Sequence, residues 1–241
     1  MKKENNKDIL NNLFNKYSLD ISDQNKIKKI ILPIMNHEEF KRRMTSEFYH
    51  HGNITLGEHI LEDTILTYKL SKKKKLNDNS IDIALKIAMF HDLYTIPWQN
   101  NTDAKVKHFF HKHGFRHPLE ACINSINWYP EIFNNNDESK KIIDGILHHM
   151  FPLPVLSIKN KDINSLELKN MPLYNKLSNN YRNIINNALR RKKVGPVSLS
   201  RSIYQEGRIM AKADRMVSRS QIKDFSSFKS LITGHNKKIN K

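Results

Sequence analysis

Histidine and aspartate residues that face apolar neighbours on predicted helices are the part of this sequence that suggests chemistry. His91 and Asp92 end the apolar run of residues 81–90, and Asp214 lies on one helical stripe with Val217. A buried carboxylate is costly unless it is paired or bound to a cation. One His-Asp pair is usually structural, but its repetition on separate helices favours metal binding.

Three further histidines lie beside apolar residues on predicted helices. His149 falls in line with Ile146, His59 has Ile60 beside it, and His117 opens a helix. With the residues named above, they predict a helical bundle whose centre holds one or two divalent metal ions through nitrogen and oxygen ligands.

The composition excludes several other classes of site. Among 241 residues there are seven glycines, and no spacing fits GxGxxG or GxxxxGK[ST], which excludes a Rossmann or P-loop nucleotide site. The single cysteine, Cys122, excludes an internal disulfide and a thiolate zinc cage. The length and the 38% hydrophobic content are sufficient for one sizeable domain.

Helical periodicity runs from end to end, and no alternating strand pattern of useful length occurs, so the predicted fold class is all-α. The prolines are expected to lie between helices, with Pro118 in the first turn of a helix that begins near His117. The predicted helices cover about residues 6–17, 22–32, 36–49, 55–75, 80–92, 117–128, 138–150, 174–192 and 200–222.

Three regions are expected: an N-terminal helical segment (1–44), a main domain (45–222) and a basic C-terminal tail (223–241). Residues 157–200 are predicted to be an insert that either covers the pocket or is solvated. The polar N-terminus and the lack of a long apolar run predict a soluble cytoplasmic protein without membrane contact.

The formal net charge of +17 has two explanations. One is the compositional drift of an AT-rich genome, which enriches Lys, Asn and Ile together. The other is an anionic partner, either a phosphorylated substrate or nucleic acid. Two basic clusters, Lys72–Lys75 and Arg190–Lys193, support a nucleic acid as the second choice, although few aromatic residues lie among them.

The order of these residues resembles the HD-domain superfamily of metal-dependent phosphohydrolases, and the flanking segments are most similar to an uncharacterised bacterial branch of it. The similarity covers about residues 45–222. The matching segments are HHGNITLGEH (50–59), FHDLYTIPW (90–98), HGFRHP (113–118), HHMFPLP (148–154) and AKADRMVS (211–218).

The resemblance implies two metal ions that share one carboxylate. The ligands of the first ion would be His59, His91, Asp92 and Asp214. Those of the second would be Asp92, His117 and His149. The ions would be Mn, Fe, Co, Mg or Zn, and a metal-bound hydroxide would attack the phosphorus of a phosphate ester, such as that of a nucleotide.

Two residues take catalytic roles in this prediction. Asp92 would bridge the ions, and His51 would donate a hydrogen bond to the substrate phosphate or support a ligand; a helix-end histidine bonded to backbone is the alternative. His50, His108, His111, His113 and His148 are expected at the surface or behind the ligands.

Departures from the family pattern count against two classes of substrate, guanosine polyphosphates and cyclic dinucleotides. Thr95 and Ile96 stand where single-metal enzymes that hydrolyse guanosine polyphosphates carry acidic residues, and the Gly-Lys and GYP features of cyclic dinucleotide phosphodiesterases are missing. Two alternatives stay open: a non-catalytic module that binds nucleic acid or a protein partner on an HD scaffold, and a di-iron centre that performs oxygenation.

Overall fold

Helices dominate the structure, as the periodicity predicts. The computed structural model describes residues 6–50, 54–97, 109–134, 136–157 and 173–222. The helices in these ranges are α1 (Asn6–Lys16), α2 (Ile21–Met35), α3 (Glu38–Arg43), α4 (Leu56–Lys73), α5 (Asp78–Phe90), α6 (His113–Trp128), α7 (Asn136–Leu147), α8 (Asn179–Arg190) and α9 (Gln205–Gln221).

Helix α5 lies at the centre because it is apolar on nearly every side. Its buried residues include Ile81, Ile83 and Ile87, so no stripe of this helix is left for solvent alone. Helices α4, α7 and α9 pack around it and against each other, and α6 packs against α7. These five helices are the ones that carry the histidines and aspartates singled out above.

Side-chain caps fix where the central helices begin. Thr55 and Glu58 form a capping box at the start of α4, with Glu58 N donating to Thr55 Oγ1 at 3.2 Å and Thr55 N donating to Glu58 Oε2 at 2.6 Å. Helix α5 begins two residues earlier than predicted because the Asn77 side chain accepts a hydrogen bond from Ser80 N at 2.8 Å.

A small antiparallel sheet adds to the helices, so the all-α prediction is right for the bulk of the fold and incomplete. Its strands are β1 (Val155–Leu156), β2 (Lys193–Val194) and β3 (Val197–Ser198), in the order β1-β3-β2. Ser198 of the central strand β3 pairs with Val155 of β1 on one side and with Lys193 of β2 on the other. Strands of two residues have no measurable alternation, which is why periodicity missed them.

Two prolines lie inside helices rather than between them. Helix α6 begins at His113 instead of near His117, which places Pro118 within the helix, and Pro33 lies near the end of α2. The earlier start follows from hydrogen bonds that Phe115 N and Arg116 N donate to Lys112 O. A proline removes one donor and crowds one carbonyl, and burial of these helices outweighs that cost.

The segments outside the five central helices also contribute to the core. Leu10 and Phe14 of α1 and Ile27 of α2 belong to the same cluster of buried residues as α4 and α5, and α8 adds Ile185 and Leu189 against α7. The domain boundaries and the insert at 157–200 stay predictions, and the tail at 223–241 lies outside the described residues. No described helix is long and apolar enough to cross a membrane.

Candidate metal centre

Four imidazoles and three carboxylates converge where α4, α5, α6, α7 and α9 meet, and all seven side chains are buried. Six of these residues are the ones that the sequence analysis names, so the structure brings every predicted metal ligand together. The seventh was not predicted. The cluster consists of His59, Asp63, His91, Asp92, His117, His149 and Asp214.

His91 and His149 are oriented by the carbonyl groups at the ends of their helices. His91 follows the last residue of α5, and its Nδ1 lies 2.7 Å from Ala88 O; His149 follows α7, and its Nδ1 lies 2.7 Å from Ile146 O. The last carbonyls of a helix have no partner within the helix, so these rings satisfy them. A carbonyl only accepts hydrogen bonds, so Nδ1 carries the proton of the neutral ring and Nε2 offers its lone pair to the centre.

The other two histidines are held in the same way. His117 Nδ1 lies 3.1 Å from His113 O, and His59 Nδ1 lies 2.9 Å from Gln221 Oε1. Gln221 is oriented in turn, because its Nε2 donates to Glu62 Oε2 at 2.9 Å. All four Nε2 atoms therefore point inward, the arrangement in which outer partners fix a histidine for metal binding.

The carboxylate of Asp92 lies between two groups of histidines. Its Oδ2 atom is 3.6 Å from His91 Nε2 and 3.9 Å from His59 Nε2, whereas its Oδ1 atom is 3.3 Å from His117 Nε2 and 3.7 Å from His149 Nε2. One carboxylate is thus shared by two neighbouring sets of donors. This is the arrangement that two adjacent cations would need.

Asp63 is the residue that sequence reasoning missed. Its side chain is fully buried, and its Oδ2 atom lies 3.0 Å from His59 Nε2 and 3.3 Å from His91 Nε2. Asp214 reaches the same place from α9, with Oδ1 3.7 Å from His59 Nε2. The signal was present as the spacing of four between His59 and Asp63, which puts both on one face of α4.

The donors are arranged for a cation rather than for each other. Across the described ranges, both oxygens of Asp63, Nε2 of His91 and Oδ1 of Asp92 are buried without a hydrogen bond, which is costly unless a cation satisfies them. His117 Nε2 and His149 Nε2 face each other at 3.1 Å, although neither carries a proton in the neutral ring. Cis ligands about 2.1 Å from a shared octahedral ion lie about 3.0 Å apart, so these residues fit a metal ion.

Protons compensate the carboxylates when no cation is bound. Burial alone would lower the pKa of His91, but the carboxylates of Asp92 and Asp63 raise it to about 9. Burial would raise the pKa of Asp214, but the imidazoles of His59, His91 and His149 close to its carboxylate lower it to about 2. A divalent ion would displace such protons, as metal binding does when its ligands must be deprotonated.

The second half of the cluster is set up differently. Burial and the neighbouring His91 and His117 rings lower the pKa of His149 to about 3. A neutral imidazole is the form that binds a metal ion. This half therefore offers neutral nitrogen donors beside one Asp92 oxygen, and it holds fewer carboxylates than the half that contains Asp63 and Asp214.

Two histidines expected at the surface or behind the ligands lie directly against them. The His50 ring stacks on the His59 ring, with the centroids 3.7 Å apart, and the His113 ring stacks on the His117 ring at 5.1 Å. His50 also has a ring nitrogen close enough to His59 and Asp92 to share a cation with them. His51, the predicted phosphate contact, lies outside the described residues.

His111 and His148 are not part of the cluster. His148 is buried on the other side of the α7 end, where Ser200 Oγ lies 3.2 Å from its ring nitrogens. His111 is half-buried in the turn before α6, and His108 lies outside the described residues.

Comparisons of the chain with profiles of protein families, with characterised proteins and with solved structures find no match. The structure itself defines a mostly helical protein with a buried cluster of histidines and aspartates that can hold metal ions.

Proposed function

We propose that this protein is a metal-dependent phosphohydrolase of the HD type that hydrolyses a phosphate ester of a small compound, with nucleotides as the leading substrate class. The observation that carries the proposal is the shared Asp92 carboxylate, with one oxygen facing His59 and His91 and the other facing His117 and His149. Adjacent metal ions are characteristic of phosphatases and nucleases. The ordered motifs that resemble the HD superfamily agree with this geometry.

The proposed ligands divide into two sets that share Asp92. The first set is His59, Asp63, His91, Asp92 and Asp214. The second set is Asp92, His117 and His149. Divalent ions bound there would supply Lewis-acid chemistry, which activates water and neutralises charge on phosphoryl oxygens.

The protein's own residues orient the donors and limit the access of water. Hydrogen bonds that the Nδ1 atoms donate to neighbouring oxygens keep all four Nε2 atoms directed at the centre, so little reorganisation is needed on binding. Asp214, His117 and Asp92 are the most exposed members of the cluster, at 7%, 6% and 5%. We place the entry of the phosphate on their side.

Two histidines are proposed to contact the substrate. The His50 ring stacks on His59 at the edge of the cluster, and one of its ring nitrogens lies close to His59 and Asp92, so it is placed to donate a hydrogen bond to a phosphoryl oxygen bound there. His51 is proposed for the same role from its position in the HHG segment. A histidine can carry this proton near neutral pH.

A substrate screen tests the proposal directly. Purified protein loaded in turn with Mn, Fe, Co, Mg or Zn is assayed on p-nitrophenyl phosphate, bis(p-nitrophenyl) phosphate and nucleoside mono-, di- and triphosphates. Asp92→Ala should lower the rate on the active class more than about 100-fold, because it removes the shared ligand. Asp82→Ala on α5 is the matched control, because it removes a carboxylate outside the cluster, and it should keep the wild-type rate.

The proposal fails if no metal form hydrolyses any of these compounds, or if Asp92→Ala and wild type give the same rates. A module that binds nucleic acid without catalysis remains the alternative. It would be favoured by a mobility shift of RNA that weakens steeply with salt and is unchanged in Asp92→Ala.

A further inference from the structure

A cavity lined by several basic residues lies apart from the metal centre, near β2, β3 and the start of α9. The cavity has a volume of about 520 Å³. Its lining includes four cationic side chains, from Arg191, Lys192, Arg201 and Arg208, and two serine hydroxyls, from Ser200 and Ser202. Among the described residues, no aspartate or glutamate lines it.

Three of these four cations have no anionic partner in the described part of the chain. Lys192, Arg201 and Arg208 form no ion pair there, whereas Arg191 is paired with Asp144. Asp144 is occupied, since it also accepts hydrogen bonds from Ser202 Oγ at 2.6 Å and from Ile203 N at 3.0 Å. Like charges gathered around one cavity repel each other, and an anion bound between them would remove that repulsion.

The wall of the cavity is held in place before any ligand binds. Ser202 is fixed by Asp144, and Ser200 is fixed by His148 at 3.2 Å. Lys192 has a φ of 44°, a left-handed conformation that is unfavourable for lysine, and its carbonyl accepts a hydrogen bond from Leu199 N at 3.1 Å. A strained residue held by its surroundings is often found at a binding site.

We propose that this cavity binds a small compound that carries two or more linked phosphate groups. The three cations without an anionic partner among the described residues, Lys192, Arg201 and Arg208, match the negative charge of a polyphosphate and can donate hydrogen bonds to its oxygens. The volume lies within the usual range of small-molecule pockets. The described residues that line the cavity include no aromatic ring, so the phosphates and not a nucleobase are recognised. Single-stranded RNA, which binds through base stacking, is a poorer fit.

The site is distinct from the metal centre and does not depend on the proposed hydrolysis. His149 Nε2 lies 3.7 Å from Asp92, whereas its neighbour His148 contacts Ser200 at the cavity wall. The residues that follow α7 therefore face both places with different side chains, and α9 contributes Arg208 to the cavity and Asp214 to the metal centre. Binding at the cavity is expected in protein from which metal has been removed.

Calorimetric titration of the metal-free full-length protein with orthophosphate, pyrophosphate, tripolyphosphate and ATP tests the proposal. We expect one saturable site, affinity that increases from orthophosphate to tripolyphosphate, and ATP affinity within about threefold of tripolyphosphate, because the base is not read. The variant Arg201→Ala/Arg208→Ala should weaken tripolyphosphate binding about tenfold or more, since two charged hydrogen-bond donors are lost.

The control variant is Lys73→Ala/Lys74→Ala at the end of α4, which removes the same charge from exposed residues elsewhere. It should change the affinity by less than about twofold, because exposed charges that do not contact the ligand contribute little. Equal losses in both variants, or no saturable binding by wild type, would overturn the proposal. So would an RNA oligonucleotide whose binding is lost in the Arg201/Arg208 variant and is not displaced by tripolyphosphate.

Discussion

Addition of Mn²⁺ to the metal-free protein is expected to raise its unfolding temperature, because the buried donors bind the ion only when the helices hold them together. At a free metal concentration of 100 times Kd, binding contributes about 2.7 kcal/mol to the folded state. For a domain of this size each kcal/mol corresponds to about 2 to 4 °C. The ion held by the first set alone is therefore expected to raise the unfolding temperature by about 5 to 11 °C, measured by differential scanning calorimetry, and an ion in the second set adds to this rise.

Asp63→Asn isolates the ligand that only the structure revealed. The Asp63 Oδ2 atom is 3.0 Å from His59 Nε2 and 3.3 Å from His91 Nε2, so the change replaces a charged donor at the centre of the first set with a neutral amide of the same size. If the substitution weakens metal affinity about 100-fold, the metal concentration that is 100 times Kd for the wild type equals Kd for the variant. The stabilisation that this ion contributes then decreases to about 0.4 kcal/mol, so its share of the rise decreases to about 1 to 2 °C.

Asp82→Asn, on α5 but outside the cluster, should keep the full rise. The ion content of dialysed protein, measured by mass spectrometry, gives a second readout, with two ions per chain expected for wild type. The reasoning is refuted if Asp63→Asn shows the wild-type rise, or if none of Mn²⁺, Fe²⁺, Co²⁺, Mg²⁺ and Zn²⁺ stabilises the wild type.

Two further predictions concern how the ligands are held. Gln221→Leu removes the acceptor of His59 Nδ1, so the ring can protonate Nε2 instead, and metal affinity measured by titration should decrease about 10- to 100-fold; an unchanged affinity would contradict this role. Gly207→Ala adds a Cβ only 2.8 Å from Gly145 Cα, which forces α7 and α9 apart and should cost about 1 to 3 kcal/mol in urea unfolding. A Gly207→Ala variant with the same free energy of unfolding as the wild type would contradict a close contact between α7 and α9 at this position.

Much of the fold could be predicted because its helices bury one face or all faces. The apolar residues of α5 and the stripe that carries Asp214 on α9 identified these helices, and the structure confirms them. The two-residue strands could not be found, because they depend on pairing with residues far along the chain, such as Val155 with Ser198. Helix ends were also displaced where backbone hydrogen bonds and not periodicity decide them, as at Lys112.

The sequence predicted the residue types of the candidate site and six of its seven residues. His91 and His149 could be selected because each ends an apolar helix on its inward side. Asp63 was not selected, although it lies four residues after His59 on the same face of α4, because α4 is buried on most of its surface and burial there does not single out one carboxylate. The basic cavity was not predicted either. The sequence does not show that Arg191 is paired with Asp144, or that Lys192, Arg201 and Arg208 have no anionic partner among the described residues.

The sequence by itself determined the helices, the faces they bury, and the set of nitrogen and oxygen donors without thiolates. Only the tertiary structure decided that these donors meet at one point, that Asp92 lies between two sets of histidines, and that Asp63 joins them. Periodicity defines which side of a helix is buried, but the rotation and position of one helix relative to another follow from packing. The distances of 3.0 to 3.9 Å between donors depend on that packing.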